Sequence, residues 1–324
     1  MTTLLSVPNV SEGRDQQLIG QIARAFDARL LDVHSDPDHN RSVYTLAGEP
    51  GSLAATVCDG AREATTRIDL NQHHGAHPNV GAIDVAPVVY LDEADRGAAA
   101  AEALVLGDRL GDELDLPVFL YGALAGGRTR AEVRRGGAKA LAARMASGEL
   151  RPDFGPGRLH PTAGAVLVAA RPPLVAFNVE LAQPATLMDA KAIAAAIREG
   201  GSEGLESVRA IGVWLDHRAA AQVSMNIEDY ARTPLVIVIE ALRRHARIAE
   251  AELVGLAPRA AFEGFPEDIP IRGRASSIVA WPRSGMLSGK PSNAARGARP
   301  TSSASAISAR HEIASITAAS GVAR

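Results

Sequence analysis

A single cysteine, Cys58, is the only thiol in the chain, so no intrachain disulfide can form. It sits in an alanine-rich helical pattern, where a buried structural thiol is expected, with a nucleophile as the alternative. A basic excess is also missing. The net charge is -3, so nothing forces an electropositive face and nucleic acid is not an expected partner. No apolar run is long enough to span a bilayer. The N-terminus, MTTLLSVPNVSEGRD, has neither a basic n-region nor an apolar h-region and does not read as a signal peptide. These absences favour a cytoplasmic protein with no membrane partner. What is present fits a globular chain. Apolar residues make up 46% and charged residues 22% of 324 positions, enough for two modest domains or one large one.

The periodicities alternate between strand and helix. LLSVPN (4–9) reads as a strand. Leu18, Ile19, Ile22 and Phe26 fall at helical spacing within 14–28. Strands are expected at 29–35, 41–48 and 83–91, with a helix at 52–67. That order, βαββαβ, is the ferredoxin-like unit. Helices at 96–114 and 130–147 follow, with a strand at 118–122. The stretch 151–164 holds three prolines and three glycines and must be a loop. After Pro172 and Pro173 the order repeats: strand 174–181, helix 187–199, strands 208–215 and 220–227, helix 234–248, strand 251–256. The expected fold is therefore α+β, with two ferredoxin-like subdomains, 1–173 and 174–274. Their sheets would face each other around a ligand groove. From 275 to 324 the chain turns to Ser, Ala, Gly, Pro and Arg, which reads as a disordered tail with a short helix near its end.

Histidine is concentrated in one place. HHGAHPNVGAIDVAP (73–87) carries three of the nine histidines within five positions, His73, His74 and His77. His73 and His77 are spaced for one helix face, as in zinc motifs. Gly75 and Pro78 argue against a helix there. A non-helical metal site including His34, Asp36 and His39 stays open on spacing alone. A general base fits better, because histidine titrates near neutrality and His77 is held by Pro78. Helix capping or backbone bonding is the plain alternative for His73 or His74.

Three other stretches are dense in polar groups. DVHSDPDHNRSVYT (32–45) mixes ordinary turn residues with His34, Asn40 and Arg41. Arg41 opens a strand and suits a carboxylate. In QVSMNIEDYARTPL (222–235), Ser224 and Asn226 share one strand face. GPGRLHPTAG (155–164) combines glycines that let a flat ligand approach with Arg158, His160 and Thr162. An interdomain linker would have the same composition. No phosphate-binding glycine motif occurs in it.

Taken together, VPNVSEGRD, LLDVHSDPDHNRSVYTLAG, HHGAHP with GAIDVAP, PDFGP with LHPTAGA, ARPPLVAFNVEL, RAIGVWL, AQVSMNIEDY and ELVGLAP resemble the glutamate formiminotransferase (formimidoyltransferase) family. The likeness runs from about residue 5 to 273. It implies the stand-alone, bacterial-type form, the chain being too short for the cyclodeaminase domain found in the animal proteins. It implies transfer of a formimino group from N-formimino-L-glutamate to tetrahydrofolate, in histidine degradation, and a fold of two facing sheets around a ligand tunnel. Tetrahydrofolate would be a co-substrate, with no metal, and a homodimer is the assembly considered. The family's catalytic histidine, last in the H-G-x-H-P block, falls on His77. Its folate-contacting segment falls on Gly155, Pro156, Gly157, Arg158, Leu159, His160, Pro161, Thr162, Ala163 and Gly164. His34, Asn40, Arg41, Ser224 and Asn226 are candidate substrate contacts. One departure stands out: many members have Arg where this chain has Asn79, so another cation, such as Arg41, would have to hold substrate carboxylate. Two rival expectations are a folate-binding or regulatory protein without transfer activity, and a metal-dependent hydrolase using the histidines.

Overall fold

A computed structural model describes residues 2–26, 29–272 and 278–279. The expected tail, 275–324, lies almost wholly outside the described residues. The elements in chain order are β1 (Leu4–Ser6), β2 (Asn9–Val10), α1 (Gln16–Ala25), β3 (Arg29–Asp36), β4 (Arg41–Gly48), α2 (Leu53–Arg67), β5 (Ile83–Tyr90), α3 (Arg96–Leu114), β6 (Val118–Leu120), α4 (Arg130–Arg134), α5 (Gly137–Ala146) and β7 (Val166–Arg171). A second run follows: β8 (Val175–Leu181), α6 (Leu187–Ile197), β9 (Val208–Leu215), β10 (Ala220–Ile227), α7 (Leu235–Arg243), β11 (Ile248–Leu253), β12 (Ala257–Pro258), β13 (Ile271–Arg272) and β14 (Ile278–Val279). This is a mixed α+β fold.

Each run builds its own sheet. In the first, β3 pairs with β4, and β1 and β2 both lie between β4 and β5, all antiparallel. Beyond β5 the sheet continues in parallel through β7 to β6. In the second sheet the order is β13-β11-β8-β10-β9, antiparallel except for β13. Two-residue alternation sends one face of each sheet to helices. From β4, Tyr44 and Leu46 join the α1–α2–α3 side, with Ile22, Val57, Leu106 and Leu110. From β10, Val223, Met225 and Ile227 pack with Phe177, Ile193, Val238 and Leu242. Cys58 is fully buried in the first core, and burial pushes its thiol up to about 11. That is a packing role.

Where boundaries differ from expectation, the local chemistry explains it. The strand expected at 4–9 is interrupted at Pro8, which has no N–H for the ladder. The helix expected at 130–147 is two, because Gly136 and Gly137 take φ of 77° and 74°, a region that breaks helical geometry and suits glycine. Upstream, α4 is fixed by a capping box between Thr129 and Glu132. Helix α7 stops at Arg243, where the apolar stripe Leu235, Val238, Ile239, Leu242 runs out.

The remaining sheet faces look at each other. Arg41, Val43 and Thr45 from β4 share cavities with Ala176 and Asn178 from β8 and with Ser224 and Asn226 from β10. Polar contacts cross between the two halves. The His39 ring donates to Gln222 Oε1 at 2.7 Å. Asp38 accepts from the backbone N–H and ring Nδ1 of His217 at 2.8 and 2.9 Å. Arg130 stands 3.5 Å from Glu228.

Candidate active site

The cleft between the sheets is a cavity of about 600 Å³ lined by Asn9, His34, Asp36, His39, Arg41, His77, Arg130 and Arg134 on one side and by Asn178, Ser224 and Asn226 on the other. It adjoins a larger space of about 1240 Å³, which shares His77, Arg130, Arg134, Ser224 and Asn226 and adds Arg198 and Arg209. In the other direction it adjoins a more apolar chamber lined by Leu5, Val7, Val43, Val85, Pro87 and Val89, with Arg171 at its edge.

His77 enters this cleft on the loop that leads into β5. Its Nδ1 lies 2.8 Å from the Pro78 carbonyl oxygen. A carbonyl only accepts, so Nδ1 carries the hydrogen and the lone pair sits on Nε2. The residue is half-buried and lines both the cleft and the larger space beside it. Burial, and then the charges of Arg41 and Arg134, hold its pKa well below the ordinary histidine value. The ring is therefore neutral at neutral pH, with Nε2 free to accept a proton. The His39 ring is 5.9 Å away, centroid to centroid.

Beneath the cleft floor is Asp84, fully buried in β5. Its Oδ1 accepts from the Val80 N–H at 2.9 Å. Its Oδ2 accepts from Arg41 at 2.7 Å and from Arg134. Burial alone would raise the Asp84 pKa, but Arg134 and Arg41 outweigh it and hold the carboxyl at about 2. Two cations share one anion, so this part of the cleft keeps a positive excess, while Arg130 beside it is paired with Glu228. Such a site attracts carboxylates. Arg41 is further tied by Nε to Asn9 Oδ1 at 3.0 Å.

The loop before β5 is braced from behind. Leu70 N–H donates to Thr162 O, Ala82 N–H to Ala163 O, and Ala165 N–H to Val80 O, at 2.8, 2.9 and 2.8 Å. Gly81 and Gly164 form a bridge. A Cβ on Gly81 would lie 1.9 Å from the Ala165 carbonyl oxygen, and backbone there cannot move aside. Gly81→Ala is accordingly expected to lower stability by about 1–3 kcal/mol. Urea denaturation with an unchanged m-value would register it; a wild-type midpoint would show that the strands can separate there.

The structure sorts the expected site residues. His77, His34, Arg41, Ser224 and Asn226 converge on the cleft. Asn40 instead serves the loop: its side chain accepts from Gly13 N–H and reaches the His74 carbonyl and His73 Nδ1. None of the cleft-lining residues falls in 155–164. That segment braces the His77 loop. Its His160 Nδ1 accepts from Ala163 N–H at 3.0 Å, and its exposed Arg158 pairs with Asp115. Asn79 is not among the residues lining these cavities; its side chain donates to Ser11 Oγ at 3.0 Å. Among the described residues no group of three or more His, Cys, Asp or Glu is arranged to hold a metal ion, and no helix is long and apolar enough to cross a membrane.

Sequence reading missed Asp84, Arg130 and Arg134. Two signals were there: a lone carboxylate inside IDVAPVVY, and two arginines spaced i, i+4 behind the Thr129–Glu132 capping box.

Known proteins share this chain's pattern. Residues 3–171 match the formiminotransferase domain, N-terminal subdomain, and residues 176–264 match the formiminotransferase domain. The chain is 38% identical to formimidoyltransferase-cyclodeaminase of Sus scrofa, over 78% of this chain and 49% of that protein. It is 37% identical to glutamate formimidoyltransferase of Streptococcus pyogenes serotype M1, over 78% and 88% of the two chains. With glutamate formimidoyltransferase of Thermoplasma acidophilum it shares 34% identity, over 81% and 90%. The chain thus spans about half the length of the pig relative and nearly all of the two shorter ones.

Proposed function

The chain belongs to the formiminotransferase family, and from that premise we propose that it transfers the formimino group of N-formimino-L-glutamate to tetrahydrofolate, as a cytoplasmic step of histidine degradation. The observation that carries this reading is His77: a neutral imidazole with a free Nε2, set among Arg41, Arg130 and Arg134 in a cleft between two sheets.

In this reading the N5 amine of tetrahydrofolate attacks the formimino carbon, and His77 Nε2 takes the N5 proton as the new C–N bond forms. The bond from that carbon to the glutamate nitrogen then breaks. The arginines hold substrate carboxylates, which answers the loss of a cation at Asn79. Holding both substrates in one cleft supplies proximity. No step calls for a metal or a redox group. The chambers on either side share residues with the central cavity, which supports a tunnel reading. The sheet orders β5-(β1, β2)-β4-β3 and β11-β8-β10-β9 support two ferredoxin-like subdomains, divided at Pro172 and Pro173. The folate role implied for Gly155–Gly164 is proposed to run through the loop they brace.

The test mixes purified protein with tetrahydrofolate and formiminoglutamate, then acidifies, so that any 5-formiminotetrahydrofolate becomes the absorbing methenyl form. Its appearance supports the proposal. Tetrahydrofolate bound by calorimetry without transfer would favour a binding protein instead and implicate Asn79.

A further inference from the structure

A second histidine lines the same cavity in opposite electrostatic surroundings. His34 lies on β3, opposite Val43 of β4, with Asp36 opposite Arg41 and Asp32 opposite Thr45. Directly paired residues share a face, so all three look into the cleft with Arg41, Val43 and Thr45. Across from them, Glu252 of β11 places Oε1 3.5 Å from His34 Nε2. Glu252 is itself buried and accepts from Asn178 Nδ2 at 3.0 Å. The contact is an ion pair too loose for a directed hydrogen bond, and His34 Nε2 is buried without a hydrogen-bond partner.

Formimino transfer has an unmet need on this side. The departing group is an alkyl amine, which cannot leave as an anion. Some acid must protonate the glutamate nitrogen as its C–N bond breaks. We propose that His34, paired with Glu252, is that acid, while His77 keeps the proton it removes. This rests on the transferase reading above. The balance is simple: N5–C forms and C–N(glutamate) breaks. The N5 proton goes to His77 Nε2, and the His34 Nδ1 proton goes to the glutamate nitrogen, because His34 Nε2 is buried against Glu252. Both rings return to their starting states by exchanging one proton through water.

The surroundings agree with this division. Burial would lower the His34 pKa, but Glu252, Asp32 and Asp36 outweigh it and raise it. Burial also lowers that of His77, and there the neighbours, Arg41, Arg134 and His39, push the same way. Paired groups driven apart in this manner mark an acid and a base. The other charged or titratable groups around His34 are Asp38, His39, Arg41, His217, Arg218 and Arg272. Arg272 stands 3.6 Å from Glu252 Oε1.

The experiment is the pH profile of kcat/KM for wild type, His34→Gln and Glu252→Gln, with thermal melts alongside. Wild type should show an acid limb from His77 and an alkaline limb from His34. His34→Gln should lower turnover by about a hundredfold or more and remove the alkaline limb. Glu252→Gln deletes a negative charge beside His34, so the alkaline limb should move to lower pH with the acid limb unmoved. A formimino donor with a weakly basic aromatic amine as leaving group needs little acid help, so His34→Gln should recover most of its rate with it. A folded His34→Gln that keeps the wild-type alkaline limb, or loses equally with both donors, overturns the inference alone. If His34→Gln fails to fold, an unmoved alkaline limb in Glu252→Gln overturns it. A wild-type protein that transfers nothing overturns this inference together with the function proposed above.

Discussion

Replacing His77 by glutamine is expected to lower turnover by about a hundred- to ten-thousandfold, the usual worth of a positioned general base, with little change in KM or melting temperature. The residue belongs to no hydrophobic core: its ring meets the Pro78 carbonyl and the His39 ring and lines the cleft. Glutamine can keep a donor toward that carbonyl but has no lone pair basic enough to take a proton. The pH dependence has a definite sign. The base is active when neutral, and its pKa is pushed well below the ordinary 6.5. Wild-type activity should therefore persist as pH falls through 6.5 and decline only below it. Single-turnover kinetics across that range would check both statements. Near-normal turnover in a folded His77→Gln protein would remove His77 from the chemistry.

The second large effect is on stability. Asp84→Asn should destabilise the fold by about 3–5 kcal/mol, because it leaves Arg41 and Arg134 buried without their shared counter-ion. The Val80 N–H keeps an acceptor in this variant, so the loss is mainly one of charge. A titration should reveal the same group in the wild type. Its folded pKa is depressed from 3.8 to about 2, so its contribution is present above about pH 4 and fades as pH falls toward 2. That amounts to about 2 kcal/mol, and the substitution costs more because an amide can also turn its NH2 donor toward the two guanidinium groups. Urea midpoints between pH 2 and 5 should slope for wild type and flatten for Asp84→Asn. Parallel curves would mean that the arginines find other anions.

Much of this was legible in the chain. The bounds of β4, β9, β10 and α3 follow from alternation and helical spacing alone, because each has one face against a core and one against something polar. The 130–147 break was harder: its residues are good helix formers, and only the left-handed glycine pair at Gly136–Gly137 interrupts them. The place of His77 on a loop at the cleft was legible because Pro78 and Gly75 break any helix there. Glu252 and Gln222 were not, since each reads as a polar residue on an ordinary strand until the opposite half of the chain supplies His34 and His39. The part played by Asp84 depends on Arg134, fifty residues away in sequence, and no local pattern encodes that distance.

The alternation in β4 and β10 bears on how such a chain can change through descent. In each of these strands consecutive side chains serve different masters, with Arg41 and Val43 in the cleft and Tyr44 and Leu46 against helices. Point substitutions can therefore tune ligand choice on one side without disturbing packing on the other. Insertions and deletions have no such freedom, because a one-residue slip exchanges the two faces. Lineages should accumulate length variation in the turns, where Asp216–Ala219 already joins β9 to β10, and almost none inside these two strands.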